Sequence, residues 1–140
     1  MSSPYENFTQ NLIDDFRAHS GHVTSGFFLG RDLLLLTTKG ARTGELRTTP
    51  VAYTRDGDDY VIVASKSGAD SHPAWYHNLL ANPQATIEVE ADTLPVIATE
   101  VKDAERRRLY DAHAEAHESF RDYEGKTSRV IPVFILKRAG

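Results

Sequence analysis

The chain has 140 residues, 40% of them hydrophobic, with 16 Lys and Arg against 20 Asp and Glu, a net charge of -4 and no cysteine. That is one ordinary domain with enough apolar matter for a core. The missing cysteines exclude disulfides, thiol nucleophiles and thiolate metal sites, and the acidic balance argues against a nucleic-acid partner.

Residues 5–19 carry Phe8, Leu12 and Phe16 at four-residue steps, with Tyr5 before them, so a helix with one apolar side is expected. Asp14, Asp15 and the lack of an apolar run there leave no signal peptide visible. With the absent cysteines this points to a cytoplasmic protein. Peripheral membrane contact through this helix stays open. Residues 20–32, "SGHVTSGFFLGRD", read as a glycine-punctuated linker. The domain division that follows is an N-terminal helix and linker over residues 1–30 and a single folded unit over 31–140.

The run "LLLLTT" at 33–38 reads as a buried strand that ends in a turn at Gly40 and Gly44. A strand over 46–54, a turn signal at 55–59 and a strand over 60–65 predict a hairpin. A helix is expected within 72–83, capped by Ser71 or His72, with Pro73 where a missing N–H costs nothing and Asn82-Pro83 as its stop. "ATIEVE" at 85–90 alternates as a half-buried strand, paired with 94–101, where Pro95 suggests an edge position. A helix from Asp103 carries Leu109, Ala112, Ala116 and Phe120 on its apolar side, and residues 129–137 close the fold as a strand. Six strands joined mostly by short turns favour a mainly β fold with flanking helices, a six-stranded antiparallel barrel.

Within this frame positive charge is concentrated. Lys39, Arg42, Arg47 and Arg55 face only one acid, Glu45, across residues 39–55. The glycine turn 40–44 could offer several backbone N–H groups to a phosphate, with Arg42 and Lys39 adding charge. A hairpin turn with solvated basic residues accounts for the same pattern. A second candidate is "VASKSGADSHPAWYHN" at 63–78. Lys66 stands at a strand end, Gly68 relaxes the backbone and a helix N-terminus follows, which together suit an anion pocket. A hairpin could bring Lys66 and Arg47 to the same rim. Trp75 serves equally as a core anchor or as a wall against a flat ligand.

His113 and His117 in "HAEAH" have metal-ligand spacing, but no third ligand is evident and no metal is expected. Phe120 and Tyr123 share a helix face and read either as packing or as an aromatic lid.

Three segments, "TTKGARTGELRTTPV", "VASKSGADSHPAWYHNL" and "YEGKTSRVIPVFIL", resemble the deazaflavin-dependent nitroreductase family of actinobacteria, in order and with matching gaps from residue 33 to 136. The resemblance implies a split β-barrel of the flavin-reductase, FMN-binding type that binds reduced coenzyme F420. Arg42, Thr43 and Arg47 align with the basic turn that meets the cofactor's phosphate and carboxylate tail. Ser65, Lys66 and Gly68 align with a second anion-binding stretch. Pro50, Val51 and Ala64 align with backbone positions along the deazaflavin ring, and Trp75 and Asn78 with the helix that flanks it. Tyr123 aligns with an active-site tyrosine, and Ser119 is a second hydroxyl for the acceptor.

The chain departs from the family's nitroimidazole activator in three places. Ala41 replaces a basic residue, offset by Lys39, and His117 and Phe120 replace two tyrosines at the substrate space. The expected activity is therefore hydride transfer from reduced F420 to a quinone-like, electron-poor acceptor. Prodrug activation is not expected. A non-catalytic deazaflavin carrier and an FMN-dependent split barrel are the alternatives, and the oligomeric state is left open.

Overall fold

The structure, a computed structural model, describes residues 4–24 and 32–139. The linker expected over 20–32 therefore lies largely outside the described residues, at 25–31.

One helix, α1 (Pro4–Ala18), precedes the strands β1 (Leu33–Lys39), β2 (Leu46–Ala52), β3 (Thr54–Asp56) and β4 (Asp59–Val63). A 3₁₀ turn (Lys66–Gly68) leads to α2 (Ala74–Ala81), β5 (Gln84–Val89) and β6 (Asp92–Val101). Then come α3 (Asp103–Ala116), a short α4 (Ser119–Tyr123), a second 3₁₀ turn (Glu124–Lys126) and β7 (Val133–Arg138). All pairings are antiparallel, in the order β2-β1-β5-β6-β7-β4-β3.

The sheet has seven strands, not the expected six, because the segment 46–54 breaks at Tyr53. The Tyr53 N–H donates to the carbonyl of Asp32 at 3.2 Å instead of to a strand partner. β2 pairs only with β1, Leu33↔Ala52 through Lys39↔Leu46. β3 alone makes the hairpin with β4, Thr54↔Val61 through Asp56↔Asp59, so the predicted 46–54/60–65 hairpin shrinks to three residue pairs. β2 and β3 stand at opposite edges of the sheet order yet are separated in the chain by Tyr53 alone. The sheet must therefore curl until its edges approach, giving a half-barrel with flanking helices.

Continuous apolar runs mark strands covered on both faces. In β1, Leu34 and Leu36 point into the interior with Ile62, Ile87, Trp75, Phe134 and Leu136. Leu33 and Leu35 point out against Ile13 and Phe16 of α1. Likewise Val61, Val63, Val133 and Ile135 sit under Leu109 and Tyr110 of α3. Each such side chain fully removed from water contributes about 1.5–3 kcal/mol.

Four local expectations need correction. On α1 the buried residues are Ile13 and Phe16, whereas Phe8 is 52% exposed. Four-residue steps rotate about 40° each on a helix, so Phe8 swings off the face that Phe16 sets. On α3 the buried side is Arg106, Leu109, Tyr110, His113 and Ala114, with Ala112 and Ala116 exposed. The helix ends at Ala116 because His117 leaves helical geometry (φ -130°, ψ 89°), and Phe120 belongs to α4. Pro95 is not on an edge strand, since β6 lies between β5 and β7. Its carbonyl accepts from Ala139 N–H just past the end of β7, so its missing N–H faces a ladder that has already run out. Neither Ser71 nor His72 caps α2; Pro73 occupies the cap position with extended backbone, and Asn82 ends the helix.

Candidate functional site

The turn between β1 and β2 is fastened at most of its amides. Gly40 N–H donates to Glu45 O (2.7 Å) and Gly44 N–H to Gly40 O (2.9 Å). Glu45 N–H donates to Thr43 Oγ1 (3.2 Å). Ala41 N–H donates to Asn78 Oδ1 (2.9 Å), while Asn78 Nδ2 donates to the buried Thr38 Oγ1 (3.0 Å). The supply of free amides is thus smaller than the sequence suggested. Only the N–H groups of Arg42 and Thr43 lack an acceptor among the described residues. Gly44 has φ +75°, a left-handed conformation that favours glycine.

Beside this turn lies a cavity of about 1100 Å³. Its walls are residues 40–43, residues 46–49, the α2 side chains Trp75, His77 and Asn78, and Gln10, Ile13 and Arg17 of α1. Three guanidinium groups line it. Arg17 is held by a double hydrogen bond to Glu88 (3.0 and 2.8 Å). Arg47 meets Glu45 at 3.3 Å with both side chains well exposed, a pairing of about 0–1 kcal/mol. Arg42 has no carboxylate partner among the described residues. The cavity is therefore net positive, with an apolar wall of Ile13, Leu46 and Trp75. Trp75 is 7% exposed, packs edge-on to Phe134 (6.0 Å) and lines the cavity. Lys39 is exposed beside the turn and not on the wall.

Val51 and Ala64 sit with Trp75 in the inner core, and Pro50 is half-buried. Both backbone polar groups of Ala64 are engaged, its N–H with Pro132 O and its carbonyl with Arg129. Ser65, Lys66 and Gly68 do not line the cavity, so Lys66 and Arg47 are not brought to one wall. They form a tight loop instead. Lys66 has φ +48°, unusual for a residue with a side chain, and its Nζ donates to Ser71 Oγ at 3.2 Å. Gly68 has φ +81°, and a Cβ there would stand 3.0 Å from Lys126 Cβ and 3.1 Å from the Tyr123 carbonyl. The Lys66 loop and the Tyr123 segment are thus in direct contact.

On α4, Phe120 and Tyr123 do share a face, with ring centroids 4.9 Å apart, and both pack partly buried on the outer core; Ser119 is half-buried nearby. The Tyr110 hydroxyl donates to the Phe120 carbonyl at 2.6 Å, and burial pushes its pKa up to about 12. His117, expected at the acceptor space, is 3% exposed and its Nε2 donates to the Tyr53 carbonyl at 2.9 Å. Its ring centroid lies 6.0 Å from that of Phe120. His113 is fully buried, with Nδ1 3.1 Å from Thr54 Oγ1 and Nε2 without a partner. Burial, with the neighbouring His117, holds its pKa down to about 3. Among the described residues no group of three His, Asp or Glu side chains could hold a metal.

Sequence reasoning missed Arg17 and Gln10 as cavity residues, because α1 is remote from the turn in sequence. It also missed Arg129, which hydrogen-bonds three carbonyls and a histidine of the Lys66 loop. A single arginine before a strand carries no pattern that could have announced this.

Comparison with known proteins gives a consistent result. Residues 10–138 match the family described as F420H(2)-dependent quinone reductase. An F420H(2)-dependent quinone reductase of Mycobacterium tuberculosis is 45% identical over 108 residues, covering 75% of this chain and 72% of that protein. A solved F420-H2 dependent reductase superposes with a TM-score of 0.71 at 37% identity, over 76% of this chain and 95% of the other. A structure described as a domain-swapped dimer aligns at 33% identity with a TM-score of 0.73, over 96% of this chain and 100% of that one.

Proposed function

This chain belongs to the F420H(2)-dependent quinone reductase family, and on that premise we propose that it binds reduced coenzyme F420 and reduces a quinone-like acceptor. The observation that carries the reading is the cavity in which Arg42, Arg47 and Arg17 stand around an apolar wall, with the N–H groups of Arg42 and Thr43 left unused among the described residues. A cofactor with a flat ring and a tail of one phosphate and several carboxylates fits that donor set. Charge-assisted hydrogen bonds to such a tail are each worth about 1.5–3 kcal/mol where shielded and less at the wet rim.

Arg42, Thr43 and Arg47 hold the anionic tail, with Lys39 adding charge from beside the turn. Lys66, on a separate loop off the cavity wall, supplies a second anion contact, with Ser65 and Gly68 shaping that loop. Pro50 and Val51 flank the ring, backed by the wholly buried Ala64, with Trp75 as an apolar wall and Asn78 fixing the turn that carries Arg42. When bound, the reduced cofactor supplies a hydride. The protein's part is to orient the acceptor, exclude water and offer a proton. Tyr123 and Ser119 carry the hydroxyls for the acceptor's oxygen, Phe120 stacks against its ring, and His117 keeps Phe120 in place. The finer fold assignment, a flavin-reductase-type split barrel over residues 31–140 with 1–30 as a cover, belongs to the same reading. It is supported by the curled sheet and by α1 lining the cavity.

Among the described residues no helix is long and apolar enough to cross a membrane. Peripheral membrane contact through α1 rests on the exposed Phe8, and a cytoplasmic location belongs to the same proposal. The cofactor assignment is tested by titrating oxidised F420 and FMN against the purified protein. F420 is expected to bind at least tenfold more tightly, and protein isolated with stoichiometric FMN would refute the assignment.

A further inference from the structure

Arg129 reaches from the segment before β7 into the loop 64–72 and makes four hydrogen bonds there. Nε donates to Ala69 O (2.8 Å), Nη2 to Ser65 O (2.6 Å), and Nη1 to Ala64 O (3.1 Å) and to His72 Nδ1 (2.9 Å). Among the described residues it has no carboxylate partner. An arginine is always a donor, so His72 Nδ1 must be the acceptor and the imidazole proton sits on Nε2. The ring is further held by stacking on Tyr76 at 4.2 Å. The loop so fixed contains Lys66 in its positive-φ conformation, which cannot persist without outside support.

We propose that Arg129 and neutral His72 form a positioning pair that holds the loop 64–72, and with it Lys66, in the ligand-ready arrangement, and that protonation of His72 releases it. The consequence for ligand binding rests on the reading of Lys66 as an anion contact. A protonated His72 carries hydrogen on Nδ1 and a positive charge 2.9 Å from the guanidinium, so both the hydrogen bond and the electrostatics reverse sign. The charged groups around it oppose rather than favour protonation. Arg129 from the pre-β7 segment and His77 from α2 disfavour it, as does Lys102 after β6; Glu100 of β6 favours it but is held by Lys102 at 2.6 Å. Burial, followed by Arg129, holds the His72 pKa below its ordinary value. In the opened loop the ring regains an ordinary pKa near 6.5, so opening becomes easier as pH falls below that value.

The experiment follows the amide exchange of Gly68 and Ala69, whose N–H groups donate to Ser65 and Lys66 carbonyls within the loop, corrected for intrinsic rates, at pH 7.5 and 5.0 without cofactor. F420 affinity is measured at the same two pH values. In the wild type, protection should fall by about fivefold or more, and affinity should fall in proportion to the fraction of loop still closed. In His72→Asn, whose amide oxygen replaces Nδ1 as acceptor and does not titrate, the ratio between the two pH values should be flat. Arg129→Lys should lose protection at both. Wild-type protection that does not change, or that changes equally in His72→Asn, overturns the pair. Exchange showing a mostly open loop at pH 5.0 with unchanged F420 affinity overturns its role in positioning Lys66. Failure of every variant to bind F420 refutes the cofactor reading, while the exchange data still decide the pair.

Discussion

Asn78 Oδ1 accepts the N–H of Ala41 at 2.9 Å across 37 residues of sequence, and the same amide donates to Thr38 at 3.0 Å. One buried side chain thereby sets the position of the basic turn relative to α2. Asn78→Ala leaves the Ala41 N–H and the Thr38 hydroxyl without that partner in a poorly hydrated place. A loss of about 1–3 kcal/mol in folding stability is expected, read from the urea midpoint, together with weaker F420 binding. Unchanged stability and affinity would show that the turn holds its place without Asn78.

Among the described residues Arg42 has no carboxylate partner, whereas Arg47 is shared with Glu45. Arg42→Ala should therefore weaken F420 binding more than Arg47→Ala, and both should exceed tenfold at low salt, as should Lys66→Ala. The losses should shrink as ionic strength rises, because screening has already weakened the wild-type contacts. Titration of the three variants at two salt concentrations checks the order. Normal binding by all three at low salt would remove the phosphate-site reading.

Phe120 can stack but has no hydroxyl, and Tyr123 stands 4.9 Å from it. Quinone reduction with poor turnover of bicyclic nitroimidazoles is expected, and Phe120→Tyr should raise the nitro activity. Tyr123→Phe should lower kcat/KM for quinone with F420 affinity nearly unchanged. Paired rate profiles for wild type and both variants are the check. A Tyr123→Phe protein that loses cofactor instead of turnover would move Tyr123 to the cofactor side.

His113, with a pKa held down to about 3 by burial, binds fewer protons folded than unfolded. Its neutral form is fully compatible with the fold above pH 6.5, and stability declines as pH falls from there toward 3, by up to about 1.4 kcal/mol per pH unit. The paired carboxylates Asp15, Asp56 and Glu124 are all held below their ordinary values, so the window from pH 6.5 to 5 isolates the histidines. Urea midpoints across it should fall less steeply for His113→Gln than for wild type. Parallel slopes would mean that the buried ring does not govern acid sensitivity.

The strands, the glycine turn and α2 were legible because period and punctuation report local burial. The break at Tyr53 was not, since it depends on a bond to Asp32 across the curl of the sheet. The same limit explains α1: the four-residue pattern found a helix, but only the position of Leu33 and Leu35 decides that Ile13 and not Phe8 is buried. In the site, charge clustering pointed to the turn and the Lys66 loop. It could not reveal that Asn78 already occupies one turn amide, that His117 faces inward, or that Arg129 ties the second loop together, because each depends on residues that meet only in the folded chain.

The most direct test of the central claim is steady-state oxidation of F420H2 by a soluble menaquinone analogue in the presence of the purified protein, followed by loss of the reduced cofactor under anaerobic conditions. The account predicts saturable turnover with quinone that Arg42→Ala and Tyr123→Phe both diminish, the first through cofactor affinity and the second through kcat/KM. Tight F420 binding with no turnover above the uncatalysed rate would contradict it and leave a carrier of the deazaflavin instead.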